Sequence, residues 1–274
     1  MPLIIPSRVI AMNLQFLIID PQNDFANPKG SLFVAGADQD SVRLAAMLKR
    51  HADKIDDIHV TLDTHHWIDI AHPIFWMDSN GKHPQAFTQI TEDDVLNGKW
   101  QTTHPAFQQR ALDYVKFLKI NARYTLTIWP AHCLIGQWGN NVVAPIAEAL
   151  NHWENRLAMV NFVTKGSNMW TEHYSAVQAD VPDPEDPSTQ LNTRLITTLQ
   201  QADLIAFSGQ ALSHCVANTI RDIANNFGNE NVSKLVLIED TTSPVTGFED
   251  FAQQFLTEMK ARGMRTVKST EFLV

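Results

Sequence analysis

Short runs of β-branched and apolar residues recur along the chain, each followed by a longer segment whose apolar positions return every three or four residues. NLQFLIID ending at Asp20, DIHVTLD ending at Asp63, YTLTIW ending at Trp129, LAMVNFVT ending at Thr164, DLIAFSG ending at Gly209 and KLVLIED ending at Asp240 read as strands. Several are apolar throughout, as strands covered on both faces of a parallel sheet are. The pattern predicts helices over Ser41 to Ile55, Ala106 to Asn121, Asn141 to Asn155, Asn192 to Ala202, His214 to Phe227 and Phe248 to Arg262. In the first helix Val42, Ala45, Ala46 and Leu48 form the expected inward stripe, with Lys49 and Arg50 turned outward. Strand and helix in alternation imply right-handed crossovers and a three-layer α/β/α, Rossmann-like fold with a mostly parallel sheet of about six strands. Polar, turn-rich stretches at 74–104 and 178–190 are read as excursions from one domain spanning 1–274. The second holds VPDPEDPSTQ, whose three prolines forbid regular structure.

Composition narrows the partners. The 274 residues carry a formal charge of -9, and no cluster of Lys and Arg offers the phosphate contacts that nucleic-acid binding needs. No apolar run approaches the ~20 residues of a membrane span. Pro2 and Pro6 interrupt the apolar start, which has no basic opening or cleavage pattern of a secretory leader. With two cysteines, Cys133 and Cys215, far from a disulfide framework, a reducing cytoplasm and a small-molecule substrate are the expectation.

In an open parallel sheet ligands bind beyond the carboxyl ends of the strands. Those ends deliver Asp20, then Asp63 and His65, then His132, then Lys165, and finally the approach to Cys215. Residues two apart at an extended strand end point the same way, so Asp63 and His65 can offer oxygen and nitrogen to one cation, with His132 on the adjacent rim. Two histidines and a carboxylate suit Zn, Mn or Fe(II). His66, His72, His83 and His104 are alternative donors nearby. At a helix start Cys215 reads two ways: as a small buried hydrophobe, or as a thiol whose pKa falls beside the helix dipole and the Lys165 ammonium.

Five blocks taken in order, LIIDPQNDF, DTHHWIDIAHP, TIWPAHC, VTKGSN with YSA downstream, and GQALSHCVANT, resemble the signature of the isochorismatase-like cysteine hydrolases, most closely their metal-dependent nicotinamidase branch. The resemblance runs from about residue 14 to 243. It implies Asp20 as general base, Lys165 as catalytic lysine and Cys215 as nucleophile. It also implies an oxyanion hole from the N–H groups of Ala211 and Cys215 beside a cis Gln210-Ala211 bond, and Phe25 and Trp129 against the substrate. One divalent metal, zinc before manganese or iron, is implied on Asp63, His65 and His132. The reaction would be hydrolysis of nicotinamide or a related small amide through a thioester, by a homo-oligomer.

Departures from that pattern bear on the pocket. Thr64 and His66 replace the usual Trp and Pro around His65, Asp69 falls near the place of a further His, and Gln210, Ser213 and His214 precede the cysteine in place of other residues. Hydrolysis of ureido or carbamoyl compounds, the metal-free isochorismatase reaction, and a noncatalytic redox-thiol or ligand-binding protein that pairs Cys133 with Cys215 remain alternatives.

Overall fold

A computed structural model of the chain describes residues 12–121 and 123–274. The leader reading at Pro2 and Pro6 lies outside the described residues. A six-stranded parallel sheet forms the middle layer, from β1 (Leu14–Ile19), β2 (Asp57–Asp63), β3 (Asn161–Lys165), β4 (Leu204–Gly209), β5 (Leu235–Ile238) and β6 (Arg265–Val267), in the order β6-β5-β4-β1-β2-β3. Every pairing in it is parallel. The central strands β1, β4 and β5 are buried throughout, which is why their sequences read as unbroken apolar runs. Helices α1 (Ala37–Arg50), α2 (Gln108–Ile120), α3 (Ala144–Glu154), α4 (Thr193–Gln200), α5 (Ala217–Phe227) and α6 (Glu249–Ala261) supply the crossovers. Among the described residues no helix is long and apolar enough to cross a membrane.

Three expectations are corrected. Tyr124 to Trp129 does not enter the sheet; only Leu126–Thr127 is strand, paired antiparallel with Gln89–Ile90 of the first excursion. The stretch is extended as its β-branched residues demand, but β3 already occupies the place beside β2, so its partner comes from elsewhere. The sixth strand is instead Arg265–Val267, three partly exposed residues with no apolar run to announce them. In α1, Val42 and Ala46 face outward, and the buried stripe is Ala37, Ser41, Leu44, Ala45 and Leu48. The helix starts four residues earlier than its apolar pattern suggests, after Gly36 at φ 96°, and this fixes which face meets the sheet.

Register, more than strand identity, builds the rim. Ile19 pairs with Gly209, and Asp63 lies opposite Lys165. Gly209 has φ 111°, and a Cβ there would overlap the Ile19 carbonyl, so β1 and β4 approach closely only because the side chain is missing. Gly209→Ala is therefore expected to destabilise the protein by roughly 2–4 kcal/mol through left-handed strain plus overpacking. Urea unfolding measures this, and a loss below about 0.5 kcal/mol would contradict the close-approach account.

Candidate active site

Asp20 follows β1 with φ 45°, an uncommon conformation for a residue with a side chain. Thr61 on the neighbouring strand holds it there. The Asp20 N–H donates to Thr61 Oγ1 at 3.0 Å, and the same hydroxyl donates to Asp20 Oδ1 at 2.5 Å. Oδ2 is thereby left to face the end of β3, where Lys165 Nζ stands 2.9 Å away. That ammonium also lies 3.0 Å from Asp63 Oδ1 and 3.6 Å from Cys215 Sγ. All four groups are buried, so Coulomb interactions among them are screened far less than in water.

Burial is the largest influence on each of these groups and is overruled at some. It would lower Lys165, yet the charges of Asp20, Asp63 and Cys215 hold the ammonium well above its ordinary pKa. It would raise Asp63, but His65 and Lys165 hold that carboxyl well below the usual range. At Asp20 burial prevails over the opposing Lys165 charge and the carboxyl is raised. Cys215 differs from its sequence expectation. Its thiol is pushed well above the ordinary value by burial, with Asp20 and Asp63 adding to the effect and Lys165 only partly opposing it. Lys165 opposes burial only in part because it arrives with two carboxylates of its own.

Cys215 sits in a π-helical turn, Leu212–Val216, that leads into α5. The Gln210-Ala211 peptide is cis, and the Ala211 N–H is free of any backbone hydrogen bond among the described residues. Gln210 is tied down by Nε2 donating to Asp40 Oδ2 at 3.0 Å and by Oε1 accepting from the Ser243 N–H at 3.2 Å.

Beside this group Asp63, His65 and His132 each present one donor atom, all within 4.8 Å of one another. His65 Nε2 is 3.0 Å and His132 Nε2 3.4 Å from Asp63 Oδ2. Each far ring nitrogen is already engaged, His65 Nδ1 at 3.0 Å from Asp69 Oδ2 and His132 Nδ1 at 2.8 Å from the Pro130 carbonyl, so both rings turn Nε2 inward. His65 Nε2 is buried without a hydrogen-bond partner. Burial would lower His65, yet the flanking Asp63 and Asp69 raise it well above its ordinary value, a sign that the pocket calls for positive charge. The donor set thus fits a borderline divalent metal. His66, His83 and His104 are exposed, whereas His72 is buried, with its ring 5.3 Å from that of His65 and 5.5 Å from that of His132.

His132 reaches the site on a loop. His65 N–H donates to the Cys133 carbonyl at 3.1 Å and Ile135 N–H to the His65 carbonyl at 3.0 Å, so 133–135 extends the ladder past the end of β2. Two residues of the first sequence block secure this arrangement. The Gln22 side chain accepts from the Asp63 N–H at 2.8 Å and donates to the Asp63 and Asn140 carbonyls at 2.6 and 3.0 Å. Asp24 accepts from the Cys133 N–H at 2.6 Å. Thr61, Gln22 and Asp24 were missed because their tasks depend on register and loop path. The polar block PQND directly after an apolar strand was the available signal.

These groups meet at a cavity of about 30 Å³, lined among others by Phe25, Asp63, Trp129, His132, Glu172, Ala211, His214 and Cys215. Phe25 meets the His132 ring edge-on at 5.3 Å, and Trp129 Nε1 donates to Tyr174 Oη at 3.0 Å. Burial pushes the Glu172 carboxyl up to about 8.

No protein-family model matches the chain. A nicotinamidase of Saccharomyces cerevisiae is 24% identical over 253 residues, covering 92% of this chain and 97% of the relative. Five sequence blocks in order on the matching fold accompany that similarity. The chain is thus similar to the nicotinamidases in sequence and in fold. The yeast nicotinamidase bound to the inhibitor nicotinaldehyde superposes on this chain with a TM-score of 0.65 at 20% identity, over 93% of this chain and 99% of the other. A Pyrococcus horikoshii pyrazinamidase in complex with zinc gives 0.56 at 17% identity, over 93% and 99%.

At the same cavity His214 is enclosed by Tyr124, Trp129, Tyr174 and Phe248, with ring centroids 4.9–5.3 Å away. Burial lowers its pKa to about 3. Below the ordinary value of about 6.5 the unfolded chain therefore takes a proton that the folded chain refuses, and stability is lost as pH falls from about 6.5 toward 3. His214→Phe should flatten the dependence of urea-unfolding stability on pH between 6.5 and 4 by up to one proton, about 1.4 kcal/mol per pH unit. Parallel curves for the two proteins would contradict a neutral buried imidazole.

Proposed function

We propose that this chain is a metal-dependent cysteine amidohydrolase that releases ammonia from nicotinamide or a related heteroaromatic carboxamide through a thioester on Cys215. The observation that carries the reading is Lys165 Nζ at 2.9 Å from Asp20 Oδ2 and 3.6 Å from Cys215 Sγ, beside the free Ala211 N–H and three convergent metal donors. Similarity to a yeast nicotinamidase, also in its complex with nicotinaldehyde, and to a zinc-bound pyrazinamidase supports the substrate class and zinc.

The Cys215 thiol is protonated at rest, and its proton passes to Asp20 as Sγ attacks the amide carbon. A carboxylate whose pKa burial has raised is a stronger base for that transfer than an ordinary one. Lys165 keeps the charge of the group compensated, since its ammonium faces whichever of Asp20 and Cys215 carries negative charge. The N–H groups of Ala211 and Cys215 receive the oxyanion, an interaction whose loss typically raises a barrier by ~3 kcal/mol. Asp20 returns the proton to the departing ammonia, then takes one from the water that cleaves the thioester to the acid. Phe25 and Trp129 pack the substrate ring. Asp63, His65 and His132 would hold the metal, which supplies a Lewis-acidic anchor for the ring nitrogen and so orients the carboxamide.

With zinc-loaded protein, nicotinamide is expected to yield ammonia. Cys215→Ala and Asp20→Asn should each lower the rate at least ~10³-fold while zinc content stays at the wild-type level. Absence of ammonia from nicotinamide, pyrazinamide and ureido compounds alike would overturn the reading.

A further inference from the structure

One polar side chain on the cavity wall has no task in the reaction just described. Glu172 is 4% exposed, and one carboxyl oxygen lies within 4.8 Å of a His65 ring nitrogen and an Asp69 oxygen. Its backbone is fixed three times. The N–H donates to Tyr114 Oη at 3.0 Å, and the carbonyl accepts from the Asp180 N–H at 2.9 Å and from Thr171 Oγ1 at 3.2 Å. Its carboxyl, by contrast, is seen in no side-chain hydrogen bond among the described residues and lines the cavity, where an acceptor is available to a ligand. A purely structural duty toward the metal group is already discharged, because Asp69 engages His65 Nδ1. Apart from Asp63, the rest of that wall near the metal donors is aromatic or imidazole, with Phe25, Trp129 and His132.

We propose that Glu172 is a specificity-determining residue whose carboxyl accepts a hydrogen bond from an N–H or O–H donor on the ring carbon next to the metal-held nitrogen. The favoured substrates are then heteroaromatic carboxamides bearing an amino or hydroxyl group at that carbon. The placement beside His65 selects the metal end of the ring over the carboxamide end. A carboxyl accepts in either protonation state, so the assignment does not depend on its charge. The inference rests on the amidase reading for the orientation of the ring.

The test compares kcat/KM for 6-aminonicotinamide and nicotinamide in zinc-loaded wild-type protein, Glu172→Gln and Glu172→Leu, with zinc content measured for each. The wild type should prefer the amino compound. The ratio of the two kcat/KM values should fall about tenfold in Glu172→Leu, chiefly through KM, and less in Glu172→Gln, which keeps an acceptor. A ratio unchanged by Glu172→Leu, or zinc loss in both variants with equal loss for both amides, overturns the proposal. Calorimetric binding of 6-aminonicotinate and nicotinate to zinc-loaded Cys215→Ala, with and without Glu172→Leu, needs no turnover. Failure of the wild type to hydrolyse any amide defeats the amidase reading, and equal binding of the two acids defeats the Glu172 assignment.

Discussion

A single buried ammonium holds this site together. Lys165 sits between Asp20 and Asp63 with the thiol of Cys215 on its third side, and each neighbour comes from a different strand end. Two carboxylates so close would repel one another and could not both stay ionised in a dry interior. Removing one partner of such a buried set leaves an uncompensated charge, whose cost exceeds that of losing a surface pair several-fold. The strands must therefore meet in one register, and the register that seats Lys165 also sets Asp63 toward His65 and His132 and Asp20 toward Cys215.

Asp63 joins two halves of the site. One oxygen takes the Lys165 ammonium and the other faces the rings of His65 and His132. Positive charge at the metal position thus competes with Lys165 for one carboxylate, so the electrostatics of the anchor and of the proton-carrying group are coupled through that side chain. Gln22 keeps the geometry fixed by binding the Asp63 backbone, and Asp24 by accepting from the Cys133 N–H next to His132. The proposed reaction, with a ring positioned at one end and a carboxamide attacked at the other, needs this rigidity, because a displacement of about 1 Å can cost ~10²-fold in rate.

The central strands and all six helices were legible because burial on both faces and amphipathic spacing are local signals. The edge strand Arg265–Val267 was not, since three partly exposed residues carry no such signal and pair only because β5 offers an edge. The path of Tyr124 to Trp129 was misread for a related reason: extended conformation is local, but the choice of partner strand is not. In the site, Asp20, Lys165, Cys215, Asp63, His65 and His132 stood out as reactive residues at strand ends, and the structure brings them together. Thr61 and Gln22 act through hydrogen bonds to residues some forty positions away, and Glu172 acquires meaning only once the cavity exists. The raised thiol of Cys215 was equally hidden, because it follows first from burial in the folded site and then from the two carboxylates that accompany the lysine.

The account's central claim is that Cys215 becomes acylated, and rapid quenching of zinc-loaded protein with nicotinamide, followed by mass spectrometry of the peptide carrying Cys215, tests it most directly. The account predicts an acyl group on that peptide that appears together with ammonia and disappears as the acid forms. Ammonia release with no acyl group on Cys215 at any time, or with one on Cys133, would contradict it.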